Sequence, residues 1–137
     1  MVFLIDTNVW LERLLDQEKS KEVGELFDTI PSERLFITDF AFHSIALVLS
    51  KLNNVEALRH FIRDTFVEGA VTLLHLKPED MERLILVMRD FDLDFDDAYQ
   101  YVAAEKTDSI IVSLDKDFDQ TERGRKTPRE ALQGQRR

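Results

Sequence analysis

Three aspartates that are far apart in the sequence have the types and positions that could support chemistry. Asp6 directly follows the apolar run VFLI, and Asp115 directly follows SIIVSL. Asp97 lies in FDLDFDDAYQ (residues 91–100), which holds four aspartates and no basic residue to offset them. Carboxylate oxygens suit Mg²⁺ and Mn²⁺, which also bind phosphate oxygens. Two such ions about 3.5–4 Å apart can activate water and stabilise the leaving oxygen of a phosphodiester, so the acids indicate metal-assisted nuclease chemistry.

Each aspartate also has an ordinary structural interpretation. Asp6 can cap the helix that follows its strand, and Asp115 can be a turn residue before KDFD. Asp96 and Asp97 both resemble helix N-cap residues, and of the two we expect Asp96 to be the cap. The two earlier aspartates of the stretch, which we expect in a solvated lead-in, are Asp92 and Asp94. If all these acids are only structural, Asp97→Asn leaves metal binding unchanged.

Two other kinds of acidic site do not fit the sequence. An EF-hand loop needs a glycine at its sixth position and a glutamate at its twelfth, and a loop that begins at Asp92 or Asp115 offers neither. A phosphotransferase of the haloacid dehalogenase type needs a second aspartate two residues after the first, where this chain has Asn8. The chain also has no cysteine for a thiolate nucleophile or zinc site.

Short apolar segments that alternate with helical segments must position these acids. VFLI, LFIT, AVTLLHL and SIIVSL predict four strands, and the nearly all-apolar DFAFHSIALVLSKL predicts a buried helix capped by Asp39. The alternation predicts one α/β domain of three layers, a mainly parallel sheet flanked by helices. Sites in such sheets lie beyond the carboxyl ends of the strands. Asp6, Asp97 and Asp115 should therefore converge at one edge.

Composition and charge place further bounds on the chain. Its 137 residues are 44% hydrophobic and 33% charged, as in a single globular domain. We place the domain at residues 1–122; residues 123–137 form a basic tail with a short terminal helix, either part of the same domain or flexible. The net charge of −9 disfavours non-specific nucleic-acid binding through phosphates.

The start of the chain and its apolar runs bear on location. MVFLIDTNVW lacks the charged start and cleavage site of a signal peptide, and no apolar run approaches the roughly 20 residues that cross a bilayer. Together with the absence of cysteine, these features predict a cytoplasmic protein that does not associate with membranes.

Three segments together resemble the PIN domain family, the fold of VapC-type toxin ribonucleases. They are the hydrophobic strand leading into DTN, the helix DDAYQYVAAE, and IIVSLDKDFD near the end. The resemblance spans nearly the whole chain and implies an endoribonuclease that cleaves single-stranded RNA with a metal-activated water at a Mg²⁺ or Mn²⁺ site. The implied residues are the catalytic, metal-holding Asp6, Asp97 and Asp115 and the supporting Asn8, Ser113 and Asp117. The implied partners are an RNA substrate, an inhibitory antitoxin protein whose tail enters the acidic groove, and a second copy of the chain in a homodimer.

The segment after the second strand departs from the family pattern. PIN domains normally place a glutamate early in the buried helix, whereas this helix has none and the position falls on Ser44 or His43. Asp39 is the nearest acid, about one turn earlier. The departure leaves open whether the site holds one metal or two. It also motivates an alternative function, a catalytically weak or inactive PIN-like module that binds a basic partner protein through its acidic groove.

Overall fold

A four-stranded parallel sheet forms the centre of the molecule. The computed structural model describes residues 1–135, so two arginines of the predicted tail, Arg136 and Arg137, lie outside the described residues. The strands are β1 Phe3–Ile5, β2 Leu35–Thr38, β3 Thr72–Leu74 and β4 Ile110–Val112. They lie in the order β3-β2-β1-β4, and β1 pairs with β2 on one side and β4 on the other, with Phe3 opposite Leu35 and Ile110. β1 is therefore central, and the residue that follows it lies at the middle of the sheet's carboxyl edge.

Seven α-helices surround the sheet within the described residues. They are α1 Thr7–Leu14, α2 Ser20–Thr29, α3 Asp39–Lys51, α4 Val55–Ile62, α5 Met81–Phe91, α6 Phe95–Thr107 and α7 Pro128–Gln135. A π-helical turn, Arg63–Val67, extends α4. The predicted cap of α3 was wrong by one residue, because the Thr38 hydroxyl accepts a hydrogen bond from the Ala41 N–H at 3.0 Å and Asp39 is the first helical residue. Adjacent threonine and aspartate both favour N-cap positions, so the sequence alone does not separate them.

Alternate residues of β1 enter two different hydrophobic clusters. Phe3 and Ile5 pack with buried side chains of α1 to α4 and α7. Leu4 packs with buried side chains of α5 and α6. Because successive side chains of a strand point to opposite faces, helices cover the sheet on both sides. The predicted three-layer α/β architecture is confirmed. No helix in the described part of the chain is long and apolar enough to cross a membrane.

The segment that follows β4 returns to the edge of the sheet. Lys126 forms a parallel bridge with Val112, beside β4. α7 then begins at a capping box in which the Thr127 N–H donates to the Glu130 carboxylate at 3.0 Å and the Glu130 N–H donates to the Thr127 hydroxyl at 3.1 Å. Leu132 of α7 is buried in the same cluster as side chains of α2. The described part of the basic tail therefore packs against the rest of the chain.

Candidate active site at the carboxyl edge of the sheet

The carboxyl ends of β1 and β4 and the first turn of α6 meet at a cleft of about 290 Å³. Asp6 follows β1, Asp97 is the third residue of α6, and Asp115 lies just beyond β4; all three line this cleft. Its other lining residues are Thr7, Asn8, Leu11, Phe40, Ser44, Asp96 and Gln100. Four of the lining side chains are acidic and none is basic, so the cleft is strongly electronegative.

Three carboxylates lie close enough together to share one cation. One oxygen from each of Asp97, Asp115 and Asp117 lies within 4.8 Å of the other two. Asp117 reaches this group because the chain turns at Asp115 into a 3₁₀ helix, Lys116–Gln120, whose cap is a 2.8 Å hydrogen bond from the Asp117 N–H to Asp115 Oδ1. An all-oxygen, anionic donor set fits Mg²⁺ or Mn²⁺. We refer to these residues as the carboxylate triad; Asp6 does not belong to it.

The protonation of Asp97 reflects the crowding of negative charge. Its pKa is raised from 3.8 to about 8, first by burial and then by the charges of Asp115 and Asp96. The residue is only 8% exposed, which restricts the water that could stabilise its charge. A cation bound among the triad would reverse this shift by favouring the ionised carboxylate. The site is therefore electrostatically suited to hold positive charge.

Asp6 is buried behind the cleft surface and held in one orientation. It is 6% exposed and serves as the N-cap of α1, where Oδ1 accepts a hydrogen bond from the Thr7 N–H at 2.9 Å. Oδ1 also accepts from Gln100 Nε2 at 2.9 Å, and Oδ2 accepts from the Ser113 hydroxyl at 2.7 Å. Burial raises the pKa of Asp6, and these hydrogen bonds oppose that shift. The predicted helix cap and the predicted site residue are thus the same side chain.

Ser113 and Asn8 connect the carboxyl ends of β1 and β4. Besides donating to Asp6, the Ser113 hydroxyl accepts hydrogen bonds from the Asp115 N–H at 2.9 Å and from Asn8 Nδ2 at 3.3 Å. Asn8 Oδ1 accepts from the Leu114 N–H at 3.2 Å. Both side chains hold the loop after β4 against the start of α1, so they fix Asp115 relative to Asp6.

Gln100 is a site residue that the sequence reasoning missed. It is 3% exposed, and its amide joins two elements by donating to Asp6 and accepting from the Thr38 hydroxyl at 2.6 Å. The signal that could have found it is its spacing. Gln100 lies three residues after Asp97 on α6, and residues so spaced share one face of a helix.

Arg125 is a second missed residue, and it anchors the turn that carries two of the triad carboxylates. Its Nη1 donates to the Ser113 carbonyl at 3.0 Å, while Nε and Nη2 bind both oxygens of Asp119 at 3.0 and 3.2 Å. The hydrogen bonds from Arg125 lower the pKa of Asp119. A planar guanidinium that bridges β4 and the 3₁₀ helix restricts how far Asp115 and Asp117 can move apart.

α3 contributes no carboxylate to the cleft. Ser44 lines the cleft, whereas His43, the other position considered for the family's glutamate, is exposed and does not line it. Asp39 is engaged elsewhere, because Oδ1 accepts hydrogen bonds from the Tyr99 hydroxyl at 2.7 Å and from the Phe40 N–H at 2.8 Å. If an acid were required from this helix, Ser44 is the position from which it would reach the cleft.

The acidic stretch around Asp97 divides between two helices. Asp92 ends α5 in the left-handed region, with φ of 53°, and Asp94 is the N-cap residue of α6. The expectation that Asp96 caps this helix was wrong: Asp96 is its second residue, and its Oδ1 accepts from the Asp97 N–H at 3.0 Å. The buried Leu93 lies between the two helices, so tertiary packing fixes where α6 begins.

Comparisons with known proteins give one family and several similar folds. The sequence pattern of the PIN domain family matches residues 3–124, which include every site residue described above except Arg125. Among curated protein sequences, none matches the chain. A toxin–antitoxin complex from Klebsiella pneumoniae aligns with a TM-score of 0.73 at 15% identity, over 91% of this chain and 96% of that one. VapC20 from Mycobacterium tuberculosis, described as a sarcin-ricin loop cleaving toxin, aligns at 0.72 and 15% identity, over 85% and 92%. FitAcB from Neisseria gonorrhoeae aligns at 0.70 and 17% identity, over 93% and 98%. At these identities the structures establish a shared fold.

Proposed function

The chain belongs to the PIN domain family, and we propose on this premise that it is a metal-dependent endoribonuclease that hydrolyses single-stranded RNA as the toxin of a toxin–antitoxin pair. The observation that carries the proposal is the carboxylate triad at the carboxyl edge of the sheet, where three oxygens lie within 4.8 Å of one another. The raised pKa of Asp97 is consistent with it, because burial and the charges of Asp115 and Asp96 disfavour the ionised carboxylate, which a bound cation would favour. PIN domains are generally nucleases, and a phosphodiester is a substrate that such a site fits.

The roles proposed for the residues follow from their contacts. Asp97, Asp115 and Asp117 would hold Mg²⁺ or Mn²⁺, which when bound would supply a Lewis acid for the activation of water and for the leaving oxygen. Asp6, fixed by hydrogen bonds from Ser113 and Gln100, faces the same cleft. Burial raises the pKa of Asp6, and as a further carboxylate at the cleft it would add to the negative charge that attracts the cation.

Ser113 and Asn8 would act as supporting residues. Their hydrogen bonds hold Asp6 and the backbone of Asp115 in a fixed relation. A displacement of about 1 Å in such a relation can cost two orders of magnitude in rate. We therefore assign them to positioning rather than to contact with the substrate.

The proposed partners are an antitoxin protein and a second copy of the chain, in the cytoplasm. One structural neighbour is described as a toxin–antitoxin complex, and the cleft, with its acidic and no basic lining residues, suits a basic segment of such an inhibitor. Leu47 on α3 and Ile85 on α5 are exposed apolar side chains that a homodimer could cover. Light scattering after gel filtration measures that assembly directly.

A second candidate function is a catalytically weak module that binds a basic protein through the same cleft. Ser44 favours it, since a serine lines the cleft on the helix where the family normally has a glutamate. The two candidates differ in RNA cleavage, and Ser44→Glu separates them further. This substitution should raise cleavage if the chain is a nuclease with a weakened site, and should leave it absent if the chain is only a binding module.

The deciding experiment is a Mn²⁺ titration by calorimetry, followed by cleavage of a labelled single-stranded RNA. We expect saturable Mn²⁺ binding by the wild type and its loss in Asp97→Asn and Asp117→Asn, which each remove a triad ligand. Asp6→Asn, which lies outside the triad, should weaken binding less than these two variants while still reducing cleavage. Asp94→Asn is the matched control, since it makes the same charge change at an exposed residue that does not line the cleft.

Certain outcomes of this titration would contradict the proposal. Wild-type protein that binds no Mn²⁺ or Mg²⁺, or that loses equal affinity in the Asp94→Asn control, would refute the metal site. Saturable binding without cleavage of any single-stranded RNA would instead favour the binding module.

A further inference from the structure

Three aromatic rings form a group beside the acidic cleft. Phe40 on α3 lines the cleft, and the ring of Phe95, the first residue of α6, lies 6.0 Å from it between centroids. The ring of Tyr99 lies 5.4 Å from Phe40 and 6.2 Å from Phe95. We call these three residues the aromatic platform. The platform meets the cleft through Phe40, and Phe95 and Tyr99, four residues apart, share one face of α6, the helix that also carries Asp97.

Burial and two hydrogen bonds fix Tyr99, the most buried residue of the platform. Tyr99 is 7% exposed, and its hydroxyl both donates to Asp39 Oδ1 at 2.7 Å and accepts from the Leu76 N–H at 2.9 Å. The pKa of Tyr99 is raised to about 12, mainly by burial, so the hydroxyl stays protonated and keeps its donor role. The position of the Tyr99 ring is therefore set before any ligand arrives, which lowers the entropic cost of binding against it.

The ring of Phe95 is the part of the platform that is exposed to solvent. Phe95 is 44% exposed, although it is flanked by the exposed acids Asp94 and Asp96. An aromatic ring left in water beside charged residues is unfavourable, and covering it with a flat apolar ligand releases free energy in proportion to the area buried. The described residues leave that face available.

We infer that the aromatic platform stacks a nucleobase of the single-stranded RNA whose phosphate lies at the carboxylate triad, an inference that rests on the proposed function. A nucleotide joins a hard anionic phosphate to a flat π surface, and Phe40 places one ring of the platform in the cleft that Asp97 and Asp115 line. None of the described residues that line the cleft is basic, so these residues do not supply the phosphate contacts that give a basic groove its affinity. Base stacking on aromatic rings supplies binding that tolerates any sequence.

The test separates aromatic stacking from apolar contact at Phe95. The probe is a short oligoadenylate that carries the fluorescent base 2-aminopurine, with cleavage kinetics measured in Mn²⁺ and fluorescence read on mixing, before cleavage. Phe95→Leu keeps apolar volume but removes the π face, and should raise KM about tenfold with little change in kcat. It should also abolish the quenching of 2-aminopurine that stacking causes. Phe95→Tyr restores the face and should restore both values, while Leu52→Ala, an exposed apolar residue outside the cleft, is the control.

Each outcome bears on the inference in a defined way. Mn²⁺ binding by the wild type without binding or cleavage of the oligoadenylate would refute the proposed RNA substrate and the stacked base together. Cleavage by the wild type with an unchanged KM in Phe95→Leu would overturn the aromatic platform alone and leave the nuclease intact. A shift from dimer to monomer in Phe95→Leu would also overturn it, because the ring would then be covered by a second copy of the chain.

Discussion

Neutralising Asp97 should stabilise the metal-free protein while it removes the metal site. In the unfolded chain this carboxyl ionises freely near its ordinary pKa of 3.8, whereas the folded chain holds the pKa at about 8. At pH 7 the linkage limit is about 1.4 kcal/mol for each of roughly three pH units, or about 4 kcal/mol of lost stability. Because the neighbouring Asp115 is half-buried and Asp96 is exposed, water screens part of the repulsion. We therefore expect Asp97→Asn to gain about 2 kcal/mol in the free energy of unfolding.

The gain should depend on pH in a specific direction. Between its unfolded pKa of 3.8 and its folded pKa of about 8, Asp97 is protonated in the folded state and ionised in the unfolded state. The folded state then binds more protons, so stability falls as pH rises through this window. Asp97→Asn removes that contribution. The difference between variant and wild type should be small near pH 4 and largest near pH 8.

Urea unfolding in a chelator gives the measurement. Trp10 is the single tryptophan of the chain and is buried, so its fluorescence reports unfolding. Asp94→Asn, an exposed aspartate of the same stretch, serves as the control and should change stability by less than about 0.5 kcal/mol. Added Mn²⁺ should stabilise the wild type by mass action and not the variant, which reverses their order. A variant that is less stable than the wild type at pH 8 without metal would refute the reasoning about buried, crowded charge.

Two further predictions concern the residues that the sequence did not reveal. Gln100→Ala leaves the buried Thr38 hydroxyl without its acceptor and removes one of the three hydrogen bonds that Asp6 accepts, so the free energy of unfolding should fall by about 2 kcal/mol in urea titrations; Gln100→Glu, which keeps the volume but adds a charge, should not restore it. Arg125→Lys keeps the positive charge but loses the forked contact to Asp119 and the Ser113 carbonyl. Mn²⁺ affinity measured by calorimetry should therefore fall several-fold. Unchanged affinity would mean that the turn keeps its shape without the guanidinium.

The order of elements along the chain could be read from the sequence because strands and helices here differ clearly in length and apolar pattern. That order was enough to bring Asp6, Asp97 and Asp115 to one edge, since parallel topology alone determines where strand ends meet. It could not reveal that Asp117 completes the triad, because that depends on a 3₁₀ turn held by the hydrogen bond from the Asp117 N–H to Asp115 and by the contacts of Arg125. The sequence is least informative about where a helix begins when several residues that favour the N-cap position are adjacent.

The acidic stretch is an example of that weakness. Asp92, Asp94 and Asp96 all favour helix ends, and the choice among them was made by the burial of Leu93 rather than by their own chemistry. Gln100 was missed for a related reason. A glutamine on a helix is ordinarily a solvated residue, and only the tertiary contact with Asp6 gives it a role.

The central position of β1 has a consequence for how the protein is made. β1 leaves the ribosome before the other three strands, yet one of its two neighbours, β4, emerges after them, and Phe3 has no partner on that side until Ile110 has been synthesised. Pairings between distant parts of a chain form slowly because loop closure must precede them. Asp115 and Asp117 emerge later still, so a nascent chain has Asp6 and even Asp97 without the loop that completes the triad. The acidic site can therefore be completed only after β4 and the turn that follows it have been synthesised.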